Sequence, residues 1–213
     1  MKKYAEYIRL YNKEDGNMCE ILRKLKGKTA TDLLEEYNIS QVPPINISLL
    51  LRRIGILEIP FDFSQIEDLM GVDHGDVLGA IFAKGDSLGV FYKSSDSLNR
   101  KRFTLAHEIA HCCIHTDSLK QRHLELRNSH NPNDPKEVNA NIFAGELLIP
   151  ETSLHIVYDK FLGTPSLFDL AKIFNVSINV MKARLDYLDL PYKADEISGE
   201  SNERNTKTHC CAS

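Results

Sequence analysis

Residues 107–111 read His107-Glu108-Ile109-Ala110-His111, and this HExxH pattern constrains the chain more than any other feature in it. Two histidines four apart lie on one face of an α-helix, about one turn from each other, so both imidazoles can reach one metal ion. Glu108 is rotated by about 100° from His107. Its carboxylate then falls beside such a metal, where it can act as a base for water and not as a ligand. The surrounding stretch, roughly Ser97 to His115, reads as the long helix that this geometry requires.

A catalytic zinc takes three protein ligands and keeps one position open. His115 shares the face of His107 and His111, but eight residues of helix rise about 12 Å, too far for one metal to be held from both ends. The longer HExxHxxGxxH pattern is absent, because the residue six beyond His111 is Asp117. The third ligand must therefore come from another element. Glu137 and Glu146 on the helix DPKEVNANIFAGELLIP are the candidates. They stand nine residues apart, half a turn out of phase, so at most one can face the metal helix. Asn141 shares the face of Glu137, and Ala140, Ala144 and Gly145 are small enough to let two helices approach. Glu137 is favoured, although Asp134, Pro135 and Glu137 also occupy the N-cap, N1 and N3 positions of a capping box that would employ the glutamate locally.

The rest of the chain reads as a frame for that helix. Its 213 residues suggest one substantial domain, or one domain with a small appendage. TATDLLEEYNI suits a short helix, and Asn46 can cap a second one over INISLLLRRI, with Gly55 at its end. ILEIP reads as a strand, and VLGAIFAKGDSLGVFYK as a β-hairpin turning at Lys84-Gly85-Asp86. DSLKQRHLELRNSHNPNDP is polar and rich in turn formers, which predicts a loop with at most a short helix. Helices resume at Pro135 and after Pro150, and residues 166–190 carry two more, with Ser177 capping the second. The pattern is α+β and mostly helical. We divide it into an N-terminal helical extension (1–28), a catalytic domain (29–160), a helix-turn-helix-like pair (161–191) and a disordered tail (192–213).

Two blocks resemble a known family. Arg102-Phe103-Thr104-Leu105-Ala106-His107-Glu108-Ile109-Ala110-His111, followed by Glu137-x-x-Ala140-Asn141-x-Phe143-Ala144 and Leu147-Leu148-Ile149-Pro150, is similar to the ImmA/IrrE family of zinc metallopeptidases. The weaker similarity covers roughly residues 29–190. It implies a zincin-like core, a small sheet or hairpin with the HExxH helix, followed by the terminal helix pair. By position it makes His107, His111 and Glu137 the ligands of zinc (or manganese) and Glu108 the catalytic base. It also implies a protein substrate, a helix-turn-helix repressor of a mobile element or a stress response. Ala110, Gly145 and Ile149 depart from the common family residues without touching the chemistry.

Charge narrows the partners. Lys and Arg number 26 against 30 Asp and Glu, a net charge of −4, whereas a chain that finds duplex DNA by its own charge usually runs basic. Lys182 and Arg184 are the only cations of the last predicted helix, with Asp186 and Asp189 close behind, so direct DNA binding is disfavoured and packing or partner docking is favoured. The rival reading is a metal-responsive transcription regulator that binds DNA through this pair. No apolar run approaches the length of a membrane span, and the N-terminus lacks the apolar stretch of a secretory signal. Five cysteines, four of them in two adjacent pairs and Cys19 alone, fit a reduced cytoplasmic protein, with Cys112 and Cys113 as small buried hydrophobes. Cys210-Cys211-Ala212-Ser213 formally fits a prenylation box, which matters only inside a eukaryotic cell. Tyr92, His115, His155 and Tyr158 are the candidates to steady an oxyanion, and the hairpin offers a strand edge for an extended substrate.

Overall fold

The computed structural model describes residues 19–64, 77–84, 87–116, 124–128 and 134–194. Most helices of the described residues begin at a side-chain cap, the exceptions being the first, after Cys19, and the one after Pro150. Helix α1 (Glu20–Leu25) is followed by α2 (Ala30–Glu36), where Thr29 and Asp32 exchange side-chain and backbone bonds in a full capping box. Asn46 Oδ1 accepts from Leu49 N to start α3 (Ile47–Ile54), and Gly55 ends it in the left-handed conformation at φ 95°. Ser97 caps α4 (Leu98–Ile114), Asp134 caps α5 (Pro135–Leu148), and α6 (Glu151–Tyr158) follows Pro150. Ser166 and Ser177 cap α7 (Leu167–Phe174) and α8 (Ile178–Tyr187).

Among the described residues the sheet has four strands: β1 (Ile56–Phe61), β2 (Val77–Lys84), β3 (Ser87–Lys93) and β4 (Leu124–Asn128), in the order β1-β3-β2-β4. β2 and β3 form the expected antiparallel hairpin, with Ile81 opposite Val90 and Gly79 opposite Tyr92; the Gly85-Asp86 turn lies outside the described residues. β1 runs parallel to β3, and β4 runs antiparallel to β2. Two expectations are corrected here. The segment read as a loop contains β4, whose Leu-Glu-Leu-Arg alternation is too short to announce a strand amid polar neighbours. The hairpin, moreover, has no free edge, because β1 covers one side and β4 the other. A buried strand must pair its backbone donors and acceptors, and these two strands do so. The free edges of the described sheet belong to β1 and β4.

Alternation along the strands divides the sheet's two faces. Ile81, Leu88 and Val90 enter the main core beneath α4, whereas Ala80 lies on the other face with Phe61, Phe63 and Phe91. Phe61 meets Phe63 and Phe91 edge-on, with ring centroids 5.1 and 5.4 Å apart. The main core runs from α1 to α8. Cys19, Leu22 and Leu25 contribute to it, so the segment read as an N-terminal extension is packed from Cys19 onward; residues 1–18 lie outside the described ones. At the other end Tyr192 donates to Asp186 Oδ1, and the Lys193 backbone bridges Pro165 and Leu167. The stretch read as a disordered tail is thus fastened at its first residues, while 195–213 lie outside the described residues.

One buried cation ties the terminal helices to the HExxH helix. Arg102, 8% exposed on α4, donates to the carbonyls of Ile45, Asn175 and Phe174 at 2.8, 3.0 and 3.4 Å. The last two are carbonyls at the C-terminal end of α7, which has no intrahelical donors for them. A positive charge is favourable there as well. Among the described residues no helix is long and apolar enough to cross a membrane.

Candidate metal centre

α4 and α5 pack side by side, with the end of α4 near the start of α5, and their contact holds the site. Ala140 and Ala144 are fully buried in that contact, as their small size allows. On α4, His107 and His111 project one turn apart with their Nε2 atoms 2.9 Å from each other. From α5, Glu137 sends Oε2 to within 3.1 Å of His107 Nε2 and Oε1 to within 3.3 Å of His111 Nε2. The N-terminal cap is supplied by Asp134, whose Oδ1 accepts from Lys136 N, and Glu137 turns both its oxygens to the imidazoles. The adjoining His107 and His111 imidazoles hold the Glu137 carboxyl well below the usual carboxylate range.

Three donor atoms spaced in this way suit a small dication. Zinc ligands at about 2.0–2.1 Å in a tetrahedron stand about 3.3 Å from one another. The donors are two imidazoles and one carboxylate, and the buried Glu108 carboxylate beside His107 on α4 adds a second negative charge that a dication would balance. Among the described residues, His107, His111 and Glu137 are the group that could hold a metal ion. The second layer of contacts is also built. His107 Nδ1 lies 2.9 Å from Asn141 Oδ1, and His111 Nδ1 lies 3.1 Å from His115 Nδ1. Metal-binding imidazoles usually have such a partner on the nitrogen that faces away from the ion. Burial pushes the His115 imidazole below its ordinary value.

Residues 66–186, more than half of the chain, match Peptidase_M78, the IrrE N-terminal-like domain family. The chain belongs to the ImmA/IrrE family. The matched region contains the whole of α4 and α5, so the family assignment and the three-residue cluster fall on the same elements. No curated protein matches the chain in sequence. An ImmA/IrrE-type chain is a metallopeptidase by family, and the other residues singled out in its sequence can be placed against that chemistry.

Glu146, the other candidate ligand, faces away from the cluster and pairs with Arg184 Nη1 at 3.5 Å. His155 is exposed near Glu151, and Tyr158 donates to the Pro191 carbonyl, so both are engaged outside the cluster. Tyr92 lies beneath the Lys101 ammonium, 4.4 Å from its ring centroid. Of the four oxyanion candidates, His115 is the one in contact with a residue of the cluster. Cys112 and Cys113 are buried as expected, and burial pushes the Cys113 thiol up to about 12, which makes it inert.

Sequence reasoning missed Gly79 in this ImmA/IrrE-type site. A Cβ at this β2 position would stand 2.6 Å from Glu108 Oε1 and 2.8 Å from Thr104 Cγ2. The strand can therefore lie against the Glu108 carboxylate only because the residue there is glycine. The available signal was a lone glycine inside an apolar strand, which marks close approach of another group. Gly79→Ala is expected to keep metal binding and to lower kcat about 100-fold, the scale of a 1 Å displacement of a reacting group. Kinetics alongside metal analysis check this; an undiminished kcat would show that the carboxylate does not depend on the gap.

Proposed function

We propose that the chain is a zinc-dependent endopeptidase that cuts a regulatory protein at a specific site, the substrate being a helix-turn-helix repressor of a mobile element or stress response. The observation that supports this reading most strongly is the convergence of His107, His111 and Glu137 from two helices, with Glu108 beside them at 2% exposure. His107, His111 and Glu137 would hold the zinc, with manganese as an alternative occupant. A bound zinc supplies a Lewis acid for the scissile carbonyl and lowers the pKa of water. Glu108, whose carboxylate lies against Gly79, accepts the proton of the attacking water and delivers it to the leaving amine. Asn141 keeps the His107 ring in one tautomer. Glu137 retains a quarter of its side-chain exposure, so the substrate reaches the cluster from that side.

An extended substrate can add as a strand along β4, the free edge next to β2, which carries Gly79 against Glu108. Residues 29–160 then form a zincin-like peptidase domain, and 161–191 form a helix-turn-helix-like pair that docks the protein partner. Against the DNA-binding reading, Arg184 is 6% exposed and donates to Ile149 O and Glu146, while Lys182 is paired with Asp186 at 2.6 Å. A groove-reading helix would need such groups directed outward. A substrate of this kind goes with a cytoplasmic site of action, which is part of the same proposal.

The test is incubation of the zinc-loaded protein with candidate helix-turn-helix repressors, followed by intact mass measurement. A single cut, giving two fragments that sum to the substrate plus one water, is the expected result. An intact repressor together with tight, salt-sensitive binding of the protein to duplex DNA would favour the regulator instead.

A further inference from the structure

α4 carries His107 and His111 one turn apart and ends on a third histidine, His115, which has a use that its distance from His107 does not suggest. His115 is outside the group of donors that lie within 4.8 Å of one another. Its Nδ1 instead meets His111 Nδ1 at 3.1 Å, with the two ring centroids 5.2 Å apart and tilted by 44°. The backbone makes this contact available. His115 is the C-cap of α4, at φ −121° and ψ 25°, with its N–H still bonded to His111 O. The chain leaves the helix at that residue, so the ring can turn back on the preceding turn.

Two imidazole nitrogens at hydrogen-bond distance share one proton, so one donates and the other accepts. His111 directs Nε2 at His107 Nε2 and Glu137. An imidazole that offers the Nε2 lone pair to a metal carries its proton on Nδ1. His111 Nδ1–H is then the donor, and His115 Nδ1 is the acceptor. His107 meets the same requirement through Asn141 Oδ1 on α5. Each of the two histidines thus has an acceptor behind it, one from the neighbouring helix and one from its own.

We propose that His115 is a positioning residue, which accepts the His111 Nδ1 proton and so fixes the tautomer and ring orientation in which His111 binds zinc. This rests on the zinc-centre reading given above. The measurement is zinc affinity by competition with a chromophoric chelator, together with the absorption spectrum of the cobalt-loaded protein. His115→Ala is expected to weaken zinc binding about 10–100-fold and to shift the cobalt bands. His115→Phe, which keeps a ring but no acceptor, is expected to do the same. His115→Asn puts Oδ1 close to the place of the histidine Nδ1, and is expected to restore most of the affinity and the original spectrum. Thermal unfolding of the metal-free variants should match the wild type. Wild-type affinity and spectrum in His115→Phe, or an Asn variant as weak as the Phe variant, would overturn the proposal. A wild-type protein with no zinc affinity would overturn the metal-centre reading, and this proposal with it.

Discussion

Glu108→Gln is expected to bind zinc as the wild type does and to lose cleavage of its substrate by about 10²–10⁴-fold, the usual contribution of a positioned base. The amide has nearly the same shape, so it still fits against Gly79, but it cannot accept a proton from water. Metal analysis and a timed cleavage assay on one preparation separate the two effects. Loss of both would mean that Glu108 serves the binding of the metal. Retention of both would remove it from the chemistry.

Glu137→Ala has the other large effect, on the metal itself. Structural zinc sites with four protein ligands bind with about 10–16 kcal/mol, so each donor is worth on the order of 3 kcal/mol. Removing one donor of three is then expected to cost about 100-fold or more in affinity. Glu146→Ala, nine residues along the same helix, should leave zinc affinity unchanged, because that carboxylate faces Arg184. Its cost falls on stability: Arg184, 6% exposed, keeps Ile149 O but loses its anionic partner. Chelator titration and thermal unfolding of the two variants separate these roles, and the opposite ranking in zinc affinity would remove Glu137 from the ligand set.

The difference between these two glutamates was legible in the sequence because helical phase is local. Four residues from His107 to His111, four from Glu137 to Asn141 and nine from Glu137 to Glu146 fix which side chains share a face, whatever the tertiary structure. The caps were legible for the same reason: Asn46 and Ser177 bond to backbone within three residues of themselves. β4 was not legible. Its five residues look like part of a polar connection, and what makes them a strand is the edge of β2, more than 40 residues upstream. The same pairing removes the free hairpin edge that the sequence implied. No local pattern announces that Arg102 and Arg184 are buried against main-chain carbonyls contributed by distant segments. His115 shows how spacing can be read for the wrong question. The 12 Å rise that takes it away from His107 says nothing of its contact with His111, which depends on how the helix ends.

The most direct measurement is cleavage of the repressor as a function of zinc restored to chelator-stripped protein. Activity is expected to be absent without metal, to rise in proportion to added zinc, and to level off at one zinc per chain. In Glu137→Ala the rise should need far more zinc, and in Glu108→Gln it should not occur although zinc binds. Cleavage that persists in the stripped protein, or that is indifferent to zinc bound at one per chain, would contradict a zinc peptidase centred on His107, His111 and Glu137.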